Sequence, residues 1–275
     1  MMKKSSRGRL HWQPIIGATI VLFMLAVAIV GPFLMPYGEA EIVGFAFDLP
    51  SPEHPLGTDV LGRDVMTRLV YGARNSIGLA LAVVVLSFLF GASLGLLSAT
   101  LGRGVDFVLS RFFDLILAIP QKVFALLLLA ILGTSLPVLI IVVAFLDSPR
   151  VFRISRAIGL EINALDFVET ARLRGDSGLG IMLRETLPNS LPTLVSEFGL
   201  RFCFIFLFIS ALSFLGLGLQ PPSADWGNMV RENASLIGFG EMMPLYPAFA
   251  IALLAVGVNL VTEWLAERWS NPAHE

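Results

Sequence analysis

From Asn75 to Gly102 the chain carries no charged residue. That run exceeds the ~20 residues an α-helix needs to cross a hydrocarbon core ~30 Å thick. Trp12 to Gly38 and Met242 to Thr262 are likewise uncharged, and Lys122 is the only charge among the 32 residues between Asp114 and Asp147. In lipid a backbone must satisfy its own hydrogen bonds, so such runs fold as helices. The chain therefore reads as an all-α, polytopic membrane protein. Its charged fraction is 15%, against about 25% in soluble domains, and its mean hydropathy is +0.80. A net charge of −2 gives no nucleic-acid footprint. The single cysteine, Cys203, excludes an internal disulfide, and His11, His54 and His274 lie too far apart in sequence to form a ligand pattern.

Breaker residues divide the runs into six spans. The first covers residues 15–35 and stops at Met35-Pro36, because proline cannot continue a helix. Lys3, Lys4, Arg7 and Arg9 precede it as part of a tail over 1–14, and the apolar run is longer than the core of a cleaved signal peptide. A polar segment occupies 36–74, followed by a core over 75–268 and a tail over 269–275. The second span lies between Arg74 and Arg103. The turn signal Gly133-Thr134-Ser135-Leu136-Pro137 splits the next stretch into helices over Arg111–Leu132 and Leu136–Ser155. Thr193–Leu217 and Leu245–Leu265 complete the set. Ser87, Gly91 and Gly95 repeat every four residues on the second span. Such a stripe lets helices approach closely, within the chain or against a second subunit.

Six spans put both termini on one side. With the N-terminus inside, the inner segments hold 13 of the 19 Lys and Arg residues, as the positive-inside rule requires. Arg63, Arg68 and Arg74 run against that rule, in a segment that also carries Glu39, Glu41, Asp48, Glu53, Asp59 and Asp64.

Charges inside lipid are costly and mark function or ion pairing. Lys122, Asp147, Glu197 and Arg201 fall in or near the spans. Glu197 and Arg201, four apart, are placed to pair on one helix face. Lys122 and Asp147, on neighbouring helices, either pair or line a path for a charged solute. After the fifth span, Asp225 is placed to cap a short surface helix, with Trp226 as an interfacial aromatic.

The longest polar island, between Arg150 and Asn189, holds its own helix signals. Asp166 and Glu169 have capping-box spacing, Gly175 suits a left-handed helix end, Asp176-Ser177 can start a second helix, and Pro188 marks entry to the next span. Two short helices at an angle form a knob, with the Glu169 carboxylate available to a partner's arginine. Read alone, the island is equally a solvated amphipathic loop.

Its sequence also resembles the EAA loop of ABC-importer permeases. Glu169-Thr170-Ala171 is followed by three residues, Gly175, nine residues, and Glu185-Thr186-Leu187-Pro188. Two further motifs flank it: His54-Pro55-Leu56-Gly57-Thr58-Asp59 through Arg63-Asp64, and Ser213-Phe214-Leu215-Gly216-Leu217-Gly218 through Asp225-Trp226-Gly227-Asn228. Together they resemble the second permease of the dipeptide/oligopeptide/nickel family of ABC importers, from about Trp12 to the C-terminus. The resemblance implies the transmembrane domain of a type I importer, multi-pass in a bacterial inner membrane, with cytoplasmic termini and a coupling loop over about 156–190. Implied partners are a homologous permease in a heterodimer, two ABC ATPases carrying ATP and Mg, and an extracytoplasmic solute-binding protein. Glu169, Thr170, Ala171, Gly175, Leu187 and Pro188 would then form the ATPase-coupling site, although Thr170 and Glu185 depart from the motif. Asp225 and Trp226 would contact the binding protein or an outer gate. Peptides lead the implied substrates, with nickel chelates, opines and glycosides as alternatives.

The chain's three lysines do not follow glycines as a P-loop demands, so no ATPase motor is expected here, and no cofactor of its own. A stand-alone secondary transporter is the rival of another class. A membrane-embedded enzyme would need a nucleophile–base pair or metal ligands in the spans, and the sequence offers neither.

Overall fold

The computed structural model describes residues 12–270. Lys3, Lys4, Arg7 and Arg9, read as part of a basic tail, and residues 271–275 lie outside the described residues. Among the described residues all regular structure is helical, and extended backbone pairs only at two isolated bridges, Ile42 with Arg63 and Thr58 with Asp64.

Helix α1 (Trp12–Leu34) ends just before Met35-Pro36, as expected. Helix α2 (Val65–Leu101) starts earlier than its apolar run. Asp64 caps it, accepting from the Thr67 amide at 2.7 Å, so Arg68 and Arg74 are helical rather than looped. At about 1.5 Å per residue α2 is roughly 55 Å long, nearly twice the thickness of a hydrocarbon core.

The expected single helix over Arg111–Leu132 does not form. Helices α3 (Arg103–Leu117) and α4 (Gln121–Leu132) meet at an 83° bend. Pro120 has no amide to donate and keeps its predecessor out of the helical region. Helix α5 (Leu136–Asn163) runs through Pro149 and extends past the expected end at Ser155. Helices α8 (Leu187–Phe214) and α10 (Leu245–Ser270) complete the long elements, and the short α9 (Trp226–Asn233) packs between them.

The core sits where α2 crosses α5. A Cβ on Gly91 would lie 2.6 Å from the Ser148 carbonyl oxygen, and one on Gly95 2.6 Å from that of Phe152. Only glycine permits this approach, so the small-residue stripe serves packing within the chain. Val83, Leu139, Val143, Ile205, Phe206 and Leu254 fill the centre. Helix α1 lies outside, against α10 and α2. Four helices are long and apolar enough to cross a membrane, or five if the bent pair α3–α4 is one span. Helix α5 is long enough, but it carries Asp147, Arg150, Arg153 and Arg156.

Candidate functional site

At one end of the bundle the chain leaves α5 and builds a knob. Helix α6 (Asp166–Leu173) is capped by Leu165, without a side-chain hydrogen bond. The capping box expected at Asp166 is therefore absent: Asp166 is already in the first turn, and its carbonyl accepts from the Thr170 hydroxyl at 2.9 Å. The C-terminal end forms as expected. Gly175 adopts φ 86°, its amide donates to Arg172, and the Asp176 amide donates to Ala171, which is the paired closure of a Schellman turn. Ser177 then caps a single turn, α7 (Gly178–Ile181), by accepting from the Gly180 amide at 3.1 Å. A π-helical turn (Met182–Thr186) leads directly into α8, with Pro188 in its first turn.

Val168 and Ala171 turn inward onto Ile162 and Ile181. Glu169, Thr170 and Gly175 are left exposed, Leu187 is half-buried and Pro188 exposed. Leu173 is 85% exposed, and Leu165, Phe167 and Leu179 are further exposed apolar residues of the knob that sequence reasoning missed. The available signal was a set of leucines and a phenylalanine off the inward-facing positions of a polar island. Asn163 anchors the knob: its amide donates to the Ala99 carbonyl at 3.0 Å and the Thr100 hydroxyl at 3.2 Å, and its carbonyl accepts from Thr186 at 2.9 Å.

Deep in the bundle, Asp147 of α5 is 2% exposed. It accepts from the Ser87 hydroxyl at 2.9 Å and faces Arg150 and Arg201 at 3.8 Å each. Arg201 pairs with Glu197 at 2.6 Å, as their spacing predicts. Lys122 does not pair with Asp147; among the described residues it makes no ion pair, and it lines a cavity of about 510 Å³ with Asp147, Arg150 and Arg201. Phe204 and Phe208 form part of its apolar wall. Arg150, which also bonds Gln121, was not singled out as a site residue, although its i,i+3 spacing from Asp147 was legible.

The opposite end is held by a buried ionic clamp. Residues 36–64 fold back so that Asp59 bridges Arg63 at 2.7 Å and Arg68 at 3.3 Å, and Glu232 of α9 meets the same two guanidiniums at 3.3 and 3.4 Å. His54 Nδ1 sits 3.3 Å from Asp64. Glu39 accepts from Asn75 and from the Ala224 amide, both at 2.9 Å. Asp225 caps α9 as expected and also accepts from Ser76 at 2.8 Å. Trp226 is not an interfacial aromatic: it is 1% exposed, and its indole donates to the Leu69 carbonyl at 2.8 Å. Gly72 makes room for the ring, since a Cβ there would lie 2.7 Å from it.

Residues 91–271 match the family model described as the binding-protein-dependent transport system inner membrane component. The chain is 35% identical over 254 residues to a dipeptide transport system permease protein of Alkalihalophilus pseudofirmus, covering 92% of this chain and 84% of that one. It is 33% identical to a glutathione transport system permease protein of Pectobacterium atrosepticum, covering 90% and 83%. A dipeptide transport system permease protein of Haemophilus influenzae is 30% identical, with 96% and 90% covered.

Proposed function

Since this chain belongs to the family of binding-protein-dependent transport system inner membrane components, we propose that it forms half of the path of an ATP-driven peptide importer. In this reading six segments span the membrane: α1, α2, the bent pair α3–α4, α5, α8 and α10. The termini and the knob face the cytoplasm. A homologous permease supplies the other half, two ATPase subunits dock on the knob, and a solute-binding protein delivers substrate at the clamp end. The peptide class is taken from the names of the relatives; nickel chelates, opines and glycosides are the alternatives within the family.

One observation carries the coupling proposal. The helices that enter and leave the knob, α5 and α8, are the two that bring Asp147 and Arg201 to the cavity. From Leu187 to Arg201 a straight helix covers roughly 20 Å. A push on the knob is in this reading delivered along these two helices to the charged centre. Glu169 is exposed on a knob that also exposes Leu165, Phe167, Leu173 and Leu179, so it offers a carboxylate on a surface that carries apolar side chains. That chemistry suits an ATPase groove presenting a cation between apolar walls. Lys122, Asp147, Glu197 and Arg201 belong to the path and its ion pairs.

The 83° break and the mid-bundle charges also favour a rival, since secondary carriers use broken helices and buried ionisable groups. Co-purification from native membranes separates the two. The importer reading expects a second permease and P-loop ATPases, with Glu169→Arg abolishing ATP-driven uptake and shedding the ATPases. ATP-independent uptake by the chain alone, unaffected by Glu169→Arg, would transfer the assignment to the secondary carrier.

A further inference from the structure

A second charged cavity, of about 700 Å³, opens between α3 and α5, away from the Asp147 centre. Arg103, Arg111, Arg153 and Arg156 line it, against Asp106 and Asp114. Asp106 is already committed: both its oxygens hold the Arg156 guanidinium, one at 2.6 Å, and the Ser98 and Ser110 hydroxyls donate to it as well. Among the described residues Arg103, Arg111 and Arg153 form no ion pair, and Asp114 is the one lining carboxylate not taken up by Arg156. The cavity therefore keeps a surplus of two positive charges.

Its depth can be read along the helices. The uncharged stretch of α2, residues 75–102, is centred near residue 88, and Ser87 is bonded to Asp147. Asp147 thus marks the middle of the apolar belt. From there α5 advances nine residues to Arg156, or about 13 Å. Half a hydrocarbon core is about 15 Å, so Arg156 stands where lipid headgroups begin, with Arg153 about one helical turn deeper. Beside them, the rest of α3 presents Phe107, Val108, Phe112 and Leu115, between 49% and 71% exposed. A cationic cavity at headgroup depth, flanked by an apolar helix face that turns 83° away from α4, has the two-part character of a phospholipid.

We propose that this cavity binds the phosphate of an anionic glycerophospholipid from the adjoining leaflet, with the acyl chains lying along the exposed side of α3. Arginine forks match phosphate oxygens in pairs, and two surplus charges suit an anionic headgroup better than a zwitterionic one. Inorganic phosphate shares the headgroup chemistry but makes no use of the apolar face. The proposal needs only the membrane-spanning reading of the chain and is independent of substrate and ATPase coupling.

The test uses the chain with whatever subunits co-purify, in nanodiscs of phosphatidylcholine containing phosphatidylglycerol, with retained lipid measured by native mass spectrometry. Phosphatidylglycerol is expected to be retained about tenfold over its share of the mixture, and Arg111→Gln/Arg153→Gln to abolish that preference. Should the variant misfold, the wild-type chain is labelled with a photoactivatable phosphatidylglycerol, and cross-links are expected on Phe107 to Leu115. Equal retention of the two lipids, or cross-links elsewhere only, overturns the proposal. Displacement by millimolar inorganic phosphate makes the site a free-anion site and overturns it too. Loss of a co-purifying protein from the variant with lipid retention unchanged identifies a protein contact instead.

Discussion

Asp59→Asn tests whether burial, rather than distance, decides what an ion pair is worth in this protein. Asp59 holds Arg63 and Arg68, whose side chains are 4% and 1% exposed, and accepts from the Leu61 and Arg63 amides at 2.8 and 3.0 Å. Asparagine keeps the shape and an acceptor for the amides but removes the charge. Two buried guanidiniums then keep Glu232 as their one ion-pair partner among the described residues, with the Glu39 carbonyl accepting from Arg68 at 3.3 Å. Removing one partner of a buried pair costs about 3–5 kcal/mol, and Glu232 moves the expectation to the lower end, about 3 kcal/mol. At 1.4 kcal/mol per tenfold this is roughly a hundredfold rise in local opening. Hydrogen exchange of the amides over residues 57–64 reads it directly. Asp176→Asn is the control, because Arg174–Asp176 has the same 3.3 Å separation as Arg68–Asp59 but is 61% and 40% exposed. There the change in exchange should stay below about fivefold. Asp59→Asn/Arg63→Met restores one charge of each sign and should recover most of the protection. Equal effects in the buried and exposed variants, or no rescue by the double variant, would refute the argument.

Gly95→Leu should lower the midpoint of thermal unfolding in detergent by several degrees, because its Cβ meets the Phe152 carbonyl and the Arg156 amide at 2.6 and 2.9 Å, both backbone. Gly78→Ala, with nothing within 4 Å of its Cβ, should leave the midpoint unchanged or raise it. Lys122→Met is expected to change the KM or rate of uptake in proteoliposomes while subunit stoichiometry stays constant; unaltered kinetics would remove Lys122 from the path. Asn163→Ala, which frees the Thr186 hydroxyl and the Ala99 carbonyl, should cost about 1 kcal/mol. It should uncouple ATP hydrolysis from uptake, measured as turnover per solute moved.

Much of the fold was legible because lipid makes local pattern decisive. The uncharged runs located α1, α10 and the body of α2, and Gly175, Ser177 and Pro188 punctuated the knob where turn chemistry required them. The bend at Pro120 was hidden because the run around it is apolar on both sides, so hydropathy registers no break. Asp64 as a helix cap was obscured by the acidic residues around it. The clamp was beyond local pattern altogether: Arg63 and Arg68 find Glu232 across 169 and 164 residues. The Trp226 indole likewise finds its acceptor 157 residues away. Reading Trp226 as interfacial used its amphipathic tendency, but a buried carbonyl on α2 satisfies the same N–H. In the bundle centre, Asp147 was recognised as costly in lipid and Arg150 lay at legible i,i+3 spacing, while its approach to Arg201 depended on how α5 and α8 pack.

The clamp also sets an order of events during synthesis. Arg63 is made 169 residues before Glu232, which at 5–20 residues per second is a delay of roughly 10 to 30 s. Throughout that interval Asp59 is the sole clamp carboxylate available to two guanidiniums. A chain that stops before α9 still holds this segment to α2 through Asp59–Arg68 and Glu39–Asn75, yet it leaves the two guanidiniums short of one counter-charge. Completion of α9 is therefore what finishes neutralising the clamp, and a chain truncated before it carries its uncompensated charge far back in its own sequence, at Arg63 and Arg68.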